Sequence, residues 1–205
     1  MISMKFDMKG DIDAAKSIGA WPLQIRKALE YAQRKTLRSM KSLSVDLLTD
    51  YYYIKASTVR KAITIGNYGK GGRFIARGTR LPISNYLLTP SRRSKKPKQL
   101  YGAVRRNSGM KSLGPAFLMP SRTGKHIAMV RKGSSRLPIE PVIAPAVPQL
   151  IGNNPHILNE ITASAQQVMT REFMVKVKEY IGAGKYKSTD LSRWSSSYNS
   201  MGGYK

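Results

Sequence analysis

The sequence predicts an α+β fold, with a helix towards each end and strands in between. Three observations predict it: apolar residues recur at helical spacing over about 22–49, the middle breaks into short β-prone runs, and helical spacing returns after Pro155. Trp21-Pro22 marks the start of the first helix, because proline at the first helical position gives up an N–H that would be unpaired anyway. From there Ile25, Leu29, Ala32, Met40, Leu43 and Leu47 trace one apolar stripe, with Lys27, Glu30, Arg34 and Lys41 opposite. After Tyr51-Tyr52-Tyr53, Ser57 is placed to cap a short helical turn.

The middle is β-prone. Residues 62–65 and 73–77 read as strands separated by a turn-forming loop, 66–72. Further strands are expected at 81–87, 99–106, 116–119 and 126–132, divided by Pro90, Asn107-Ser108-Gly109, Pro120 and Gly124. Six short strands in a row with no helix between them argue for a largely antiparallel sheet. Residues 145–151 predict a short helix, and Asn153-Asn154-Pro155 resets the chain. Leu158, Ile161, Ala165, Val168, Phe173, Val177 and Tyr180 then trace a second stripe, stopped by Gly182 and Gly184. Residues 1–181 thus read as a single α+β domain, and 182–205 as a Ser/Gly/Tyr-rich C-terminal arm. That arm carries Tyr186, Trp194, Tyr198 and Tyr204, and either orders against a neighbouring subunit or stays floppy.

Charge sharpens the picture. The chain has 36 Lys+Arg against 11 Asp+Glu, a formal charge of +25. No acid lies between Asp50 and Glu140, yet residues 51–139 hold 20 of the basic residues. Such a segment cannot neutralise itself, so it stays solvated or meets nucleic acid or an acidic protein surface. The residues expected to make that contact are Lys70, Arg73, Arg92, Arg93, Lys95, Lys96, Lys98, Arg105 and Arg106. Arg80-Leu81-Pro82-Ile83 recurs as Arg136-Leu137-Pro138-Ile139, and its proline suits edge strands or strand starts.

Catalytic chemistry finds no footing. There is no cysteine, so disulfide scaffolds, thiolate zinc sites and Cys nucleophiles are excluded. The histidines are His126, in the acid-free stretch, and His156 after Asn-Asn-Pro; both read as structural or surface residues. Asp11 with Asp13, and Asp46 with Asp50, read as solvated charge and not as a nuclease metal site. Gly184-Lys185-Tyr186 and 69–73 fail the phosphate-loop pattern, and 53–65 lacks the second helix of a helix-turn-helix. The expectation is no enzyme, no cofactor and no metal. No apolar run reaches the roughly 20 residues that cross a bilayer, and the first residues lack a signal-peptide core.

Arg136-Leu137-Pro138-Ile139, followed by Ala144-Pro145-Ala146-Val147-Pro148-Gln149, resembles the "RLPI … GPSVPQ" signature of the minor tail protein Z family of tailed phages and prophages. Tyr53-Ile54-Lys55 through Val59-Arg60-Lys61-Ala62-Ile63 is similar to that family's "Y-x-I-x-x-x-x-V-R-K-x-I" stretch. Arg80-Leu81-Pro82-Ile83 sits at its "R-x-P-L" strand, Pro115-Ala116-Phe117-Leu118 at its "G-A-F-I" segment, and Gly124-Lys125-His126 at its "G-H" turn before a strand ending in Arg131. The similarity covers roughly 20–181. Ala144 departs from a glycine of the pattern, and the basic stretch 92–98 is an insert relative to it.

The resemblance implies a non-enzymatic virion protein of the head–tail junction, made in the host cytoplasm. Its role would be tail completion, as a neck ring around the DNA passage, with a hexamer as the expected assembly. Implied partners are further copies of the chain, neighbouring neck, tail-tube or tail-terminator proteins, and non-specific contact with viral DNA, with no membrane. Residues 136–139 and 145–149 are assigned to core packing or subunit contact. Two rivals stand: a free-standing basic nucleic-acid-binding protein, and a tail-terminator or adaptor ring at another level of the stack.

Overall fold

The structure is a computed structural model, and it describes residues 2–4, 13, 22–68, 71–93, 99–121 and 124–182. Helix α1 spans Pro22–Tyr51, beginning at the expected proline and running two residues beyond the expected end. Its neighbour α2, Ala56–Ala62, starts from Lys55, which makes no side-chain cap. Ser57 therefore lies inside the first turn and does not cap it. Two separate helices follow late in the chain, α3 at Val147–Gly152 and α4 at Pro155–Gly182.

Between them the fold is α+β as expected, but the strands are shorter and more divided than periodicity suggests. Strands β1 (Ile2–Met4), β2 (Ile63–Tyr68) and β3 (Gly71–Ala76) form one sheet in the order β1-β3-β2. Of the turn-rich loop expected over 66–72, residues 66–68 and 71–72 are strand, with Gly66 in β2 and Gly71 and Gly72 in β3. Strands β4 (Leu81–Pro82), β5 (Leu87–Thr89), β6 (Tyr101–Ala103), β7 (Lys111–Ser112), β8 (Phe117–Pro120), β9 (His126–Arg131), β10 (Ile139–Pro141) and β11 (Ile143–Ala144) complete the set among the described residues. They make the antiparallel sheets β5-β6-β7 and β10-β9-β8 and the pair β11-β4. The expected strand at 81–87 is cut by a 3-10 turn at Ile83–Asn85. That turn follows Pro82, which cannot donate to a ladder and sits in a two-stranded sheet. Gly124 adopts φ +75° at the turn into β9, a conformation that favours glycine. Its N–H donates to the Ser121 carbonyl at 2.9 Å.

The chain divides into two compact units. Of the described residues, those within 1–3, 41–65 and 74–161 make up one unit, the body, and those within 4–40, 66–73 and 162–182 the other, the helical unit. In the helical unit Ile25, Ala28 and Ala32 of α1 pack on Met169, Phe173 and Val177 of α4, with Leu29 and Tyr180 at the margin. The small Ala28 and Ala32 leave room for the Phe173 ring, which is 1% exposed. The buried Thr36 hydroxyl donates to Met169 Sδ at 3.5 Å, so this polar side chain is not stranded in the core. At the rim, Lys176 lies over the Tyr31 ring at 4.6 Å and pairs with Glu179.

In the body, α3 is buried through Val147, Pro148, Leu150 and Ile151, so residues 145–149 serve packing. Gln149 reaches back to accept the Ala146 N–H at 3.0 Å, satisfying one of the donors a helix start leaves open. The 136–139 echo behaves differently: Leu137 is 68% exposed and only Ile139 enters a strand. Core packing therefore does not explain it.

Tyr86 ties the 3-10 turn to the start of α3, donating to the Pro145 carbonyl at 2.6 Å. Burial, with the nearby Tyr52 second, pushes the Tyr86 phenol up to about 12. An unfolded tyrosine titrates near 10. The neutral, bonded phenol thus stabilises the fold fully below about pH 10, and this contribution is lost as pH rises towards 12. The expected loss is on the order of 2 kcal/mol. Urea titrations of the wild type and Tyr86→Phe across pH 9–12 check it: the wild type should lose its advantage over the variant in that window.

Candidate functional site: a basic face on the body unit

Of the nine basic residues singled out above, Arg73, Arg92, Arg93, Arg105 and Arg106 are described and exposed. Lys70, Lys95, Lys96 and Lys98 lie outside the described residues, as does the arm at 183–205. Arg73 is on β3 and belongs to the helical unit, whereas the other four arginines belong to the body.

The register of β5 and β6 decides how those four are arranged. Thr89 pairs with Tyr101 and Leu87 with Ala103. Arg92 and Arg93 therefore leave the ladder at its Thr89–Tyr101 end, and Arg105 and Arg106 leave at its Leu87–Ala103 end. With about 3.4 Å of rise per residue, the short ladder separates two basic pairs that look like one patch in the sequence. Arg105 and Arg106 are held firmly. Arg105 bridges Tyr52 in the antiparallel sense, and the Arg106 N–H donates to the Tyr51 carbonyl at 3.0 Å. Arg106 Nε donates to the Thr49 carbonyl at 2.9 Å, and its guanidinium lies 5.0 Å from the Tyr53 ring centre. One of the last carbonyls of α1 thus finds a cationic donor, a favourable partner for the negative end of a helix dipole.

Counter-charge is scarce. In the body, Lys132 pairs with Glu140 at 2.7 Å, solvent-exposed at both ends. Its hydrogen bond holds the Lys132 amine above its ordinary range. Arg131 lies over the Phe117 ring at 5.5 Å instead of meeting an acid. In the body, Arg92, Arg93, Arg105 and Arg106 therefore stay exposed on a stretch that contributes no carboxylate of its own between Asp50 and Glu140.

A polar cluster near the end of α1 lies outside the candidate residues of the sequence. His156 Nδ1 lies 3.5 Å from Glu160, one helical turn on, and 3.4 Å from the Tyr51 hydroxyl. The spacing from His156 to Glu160 was a legible signal, since side chains four apart on a helix meet. Both side chains are solvent-exposed, at 65% and 43%. Among the described residues no cluster of three or more His, Asp or Glu could hold a metal ion. No helix among them is long and apolar enough to cross a membrane.

The body also holds a cleft of about 490 Å³ that no sequence motif signals. Ile83, Ala103, Leu113 and Leu150 give it an apolar lining, and Arg105 and Lys111 add cations. Gly102 makes this possible: a Cβ there would stand 3.1 Å from Ile83 and 3.4 Å from Leu113.

No family model, curated protein or solved structure matches the chain.

Proposed function

We propose that the chain is a non-enzymatic structural protein of a tailed-phage virion. In this reading it acts in tail completion, joining tail to head as a neck ring of several copies around the DNA passage. One observation carries the reading: in the body unit the acid-free stretch displays Arg92, Arg93, Arg105 and Arg106 at the surface, and no Asp or Glu lies between Asp50 and Glu140 in the sequence. A surface of that kind is built to dock on an anionic assembly, whether DNA or the acidic rim of an adjoining protein. The order and spacing of the motifs over roughly 20–181 support the placement at the head–tail junction.

Electron microscopy of particles made without this protein tests the proposal. Filled heads and finished tails that stay separate are expected, with joining restored when the purified chain is added. Normal, infectious virions would sink it.

A further inference from the structure

The cleft in the body unit combines three features. Its floor is apolar, from Ile83, Leu113 and Leu150. Arg105 and Lys111 are both exposed beside it. No Asp or Glu is among its lining residues. Register explains the proximity: Lys111 pairs with Gly102 on neighbouring strands, and Arg105 follows the end of the same strand β6. At about 490 Å³ the space matches the range in which proteins accept ligands or anchoring side chains.

We infer that this cleft docks an acidic peptide segment of a partner protein: an apolar anchor side chain enters between Ile83, Leu113 and Leu150 while flanking carboxylates meet Arg105 and Lys111. The inference deepens the structural reading by naming the partner's chemistry, and it rests on that reading only in taking the partner to be a protein. Charge complementarity selects the occupant. Nucleic acid would satisfy the two cations, but its largest exposed aliphatic group is a thymine methyl, too small to fill the floor, and the lining aromatic, Tyr52, is buried and offers no face for base stacking. The chain's own residues 183–205 carry Lys185, Lys187, Arg193 and Lys205 against Asp190, so a second copy's arm would bring like charge to the site. A segment bearing Asp or Glu around Leu or Phe meets both the rim and the floor.

Binding to the full-length protein is measured by fluorescence anisotropy with three labelled probes: the capped peptide Glu-Asp-Leu-Phe-Asp-Glu, the same peptide with Ser-Gly replacing Leu-Phe, and a single-stranded thymidine oligonucleotide. The first should bind at least about tenfold more tightly than the second. Lys111→Glu should weaken it by about tenfold or more. Gly109→Trp adds no charge and enters space that is open, since a Cβ on Gly109 meets nothing within 4 Å; it should block the anchor and weaken binding similarly. Circular dichroism of each variant checks folding, and Lys111→Glu, an exposed substitution, carries the test if Gly109→Trp does not fold. Equal binding of the two peptides, or displacement of the first peptide by the oligonucleotide at equal concentration, would overturn the inference. So would no peptide binding at all. Continued head–tail joining by the same protein would then show that the virion reading survives without it.

Discussion

Replacing Phe173 by alanine is expected to destabilise the helical unit by about 3–5 kcal/mol. The ring is 1% exposed and lies among Ile25, Ala28, Ala32, Met169 and Val177. Ala28 and Ala32 cannot extend into the space a missing ring would leave, so the cavity stays open and its lining loses dispersion contacts as well as transfer energy. Val175, two residues away on the same helix, is 45% exposed. Val175→Ala should change stability by no more than about 0.5 kcal/mol, because it empties no cavity and alanine suits a helix better. Urea denaturation followed by circular dichroism checks both. Equal effects of the two substitutions would show that α4 does not pack on α1 through the Phe173 face.

That packing was half legible. Ile161, Ala165, Phe173 and Val177 of the expected apolar stripe are buried, but so are Ile157 and Met169, where the sequence pattern points to Leu158 and Val168. The reason is geometric: steps of four residues drift by about 40° around a helix of 3.6 residues per turn, so a stripe chosen by a best average period slips against the real one. Both long helices were readable because thirty or so residues of pattern average out such slips. The strands were not, since two- and three-residue pieces such as β4 and β7 carry too few residues to show alternation. Short ladders also explain the site. Charge located the basic stretch, but only the β5–β6 register reveals that Arg92 and Arg93 emerge at the opposite end from Arg105 and Arg106. The cleft was invisible in advance because Ile83, Gly102, Leu113 and Leu150 meet only through tertiary contacts.

Separating the two basic pairs makes them testable separately. On the proposed head–tail role, the double charge reversal Arg92→Glu with Arg93→Glu should lower joining by about tenfold or more at physiological salt while leaving thermal stability unchanged. Both side chains are exposed and follow the end of β5, so the fold asks little of them. Reversing Arg106 is a different experiment, because its Nε holds the Thr49 carbonyl and its guanidinium covers Tyr53. Loss of joining there would mix docking with a loosened end of α1. For the clean pair, salt identifies the partner. If Arg92 and Arg93 meet DNA phosphates, the slope of log affinity against log salt should shrink by about 2, near 0.9 for each phosphate contact released. If they meet an acidic protein rim, joining should fall while the affinity for free duplex DNA and its salt slope stay as in the wild type. Screening acts within a Debye length of about 8 Å at 0.15 M, so lowering the salt should partly restore joining to a protein carrying a single reversal. Joining unaffected by the double reversal at any salt would leave these two cations solvated and idle, and the docking role would then fall to Arg105, Arg106 and the cleft beside them.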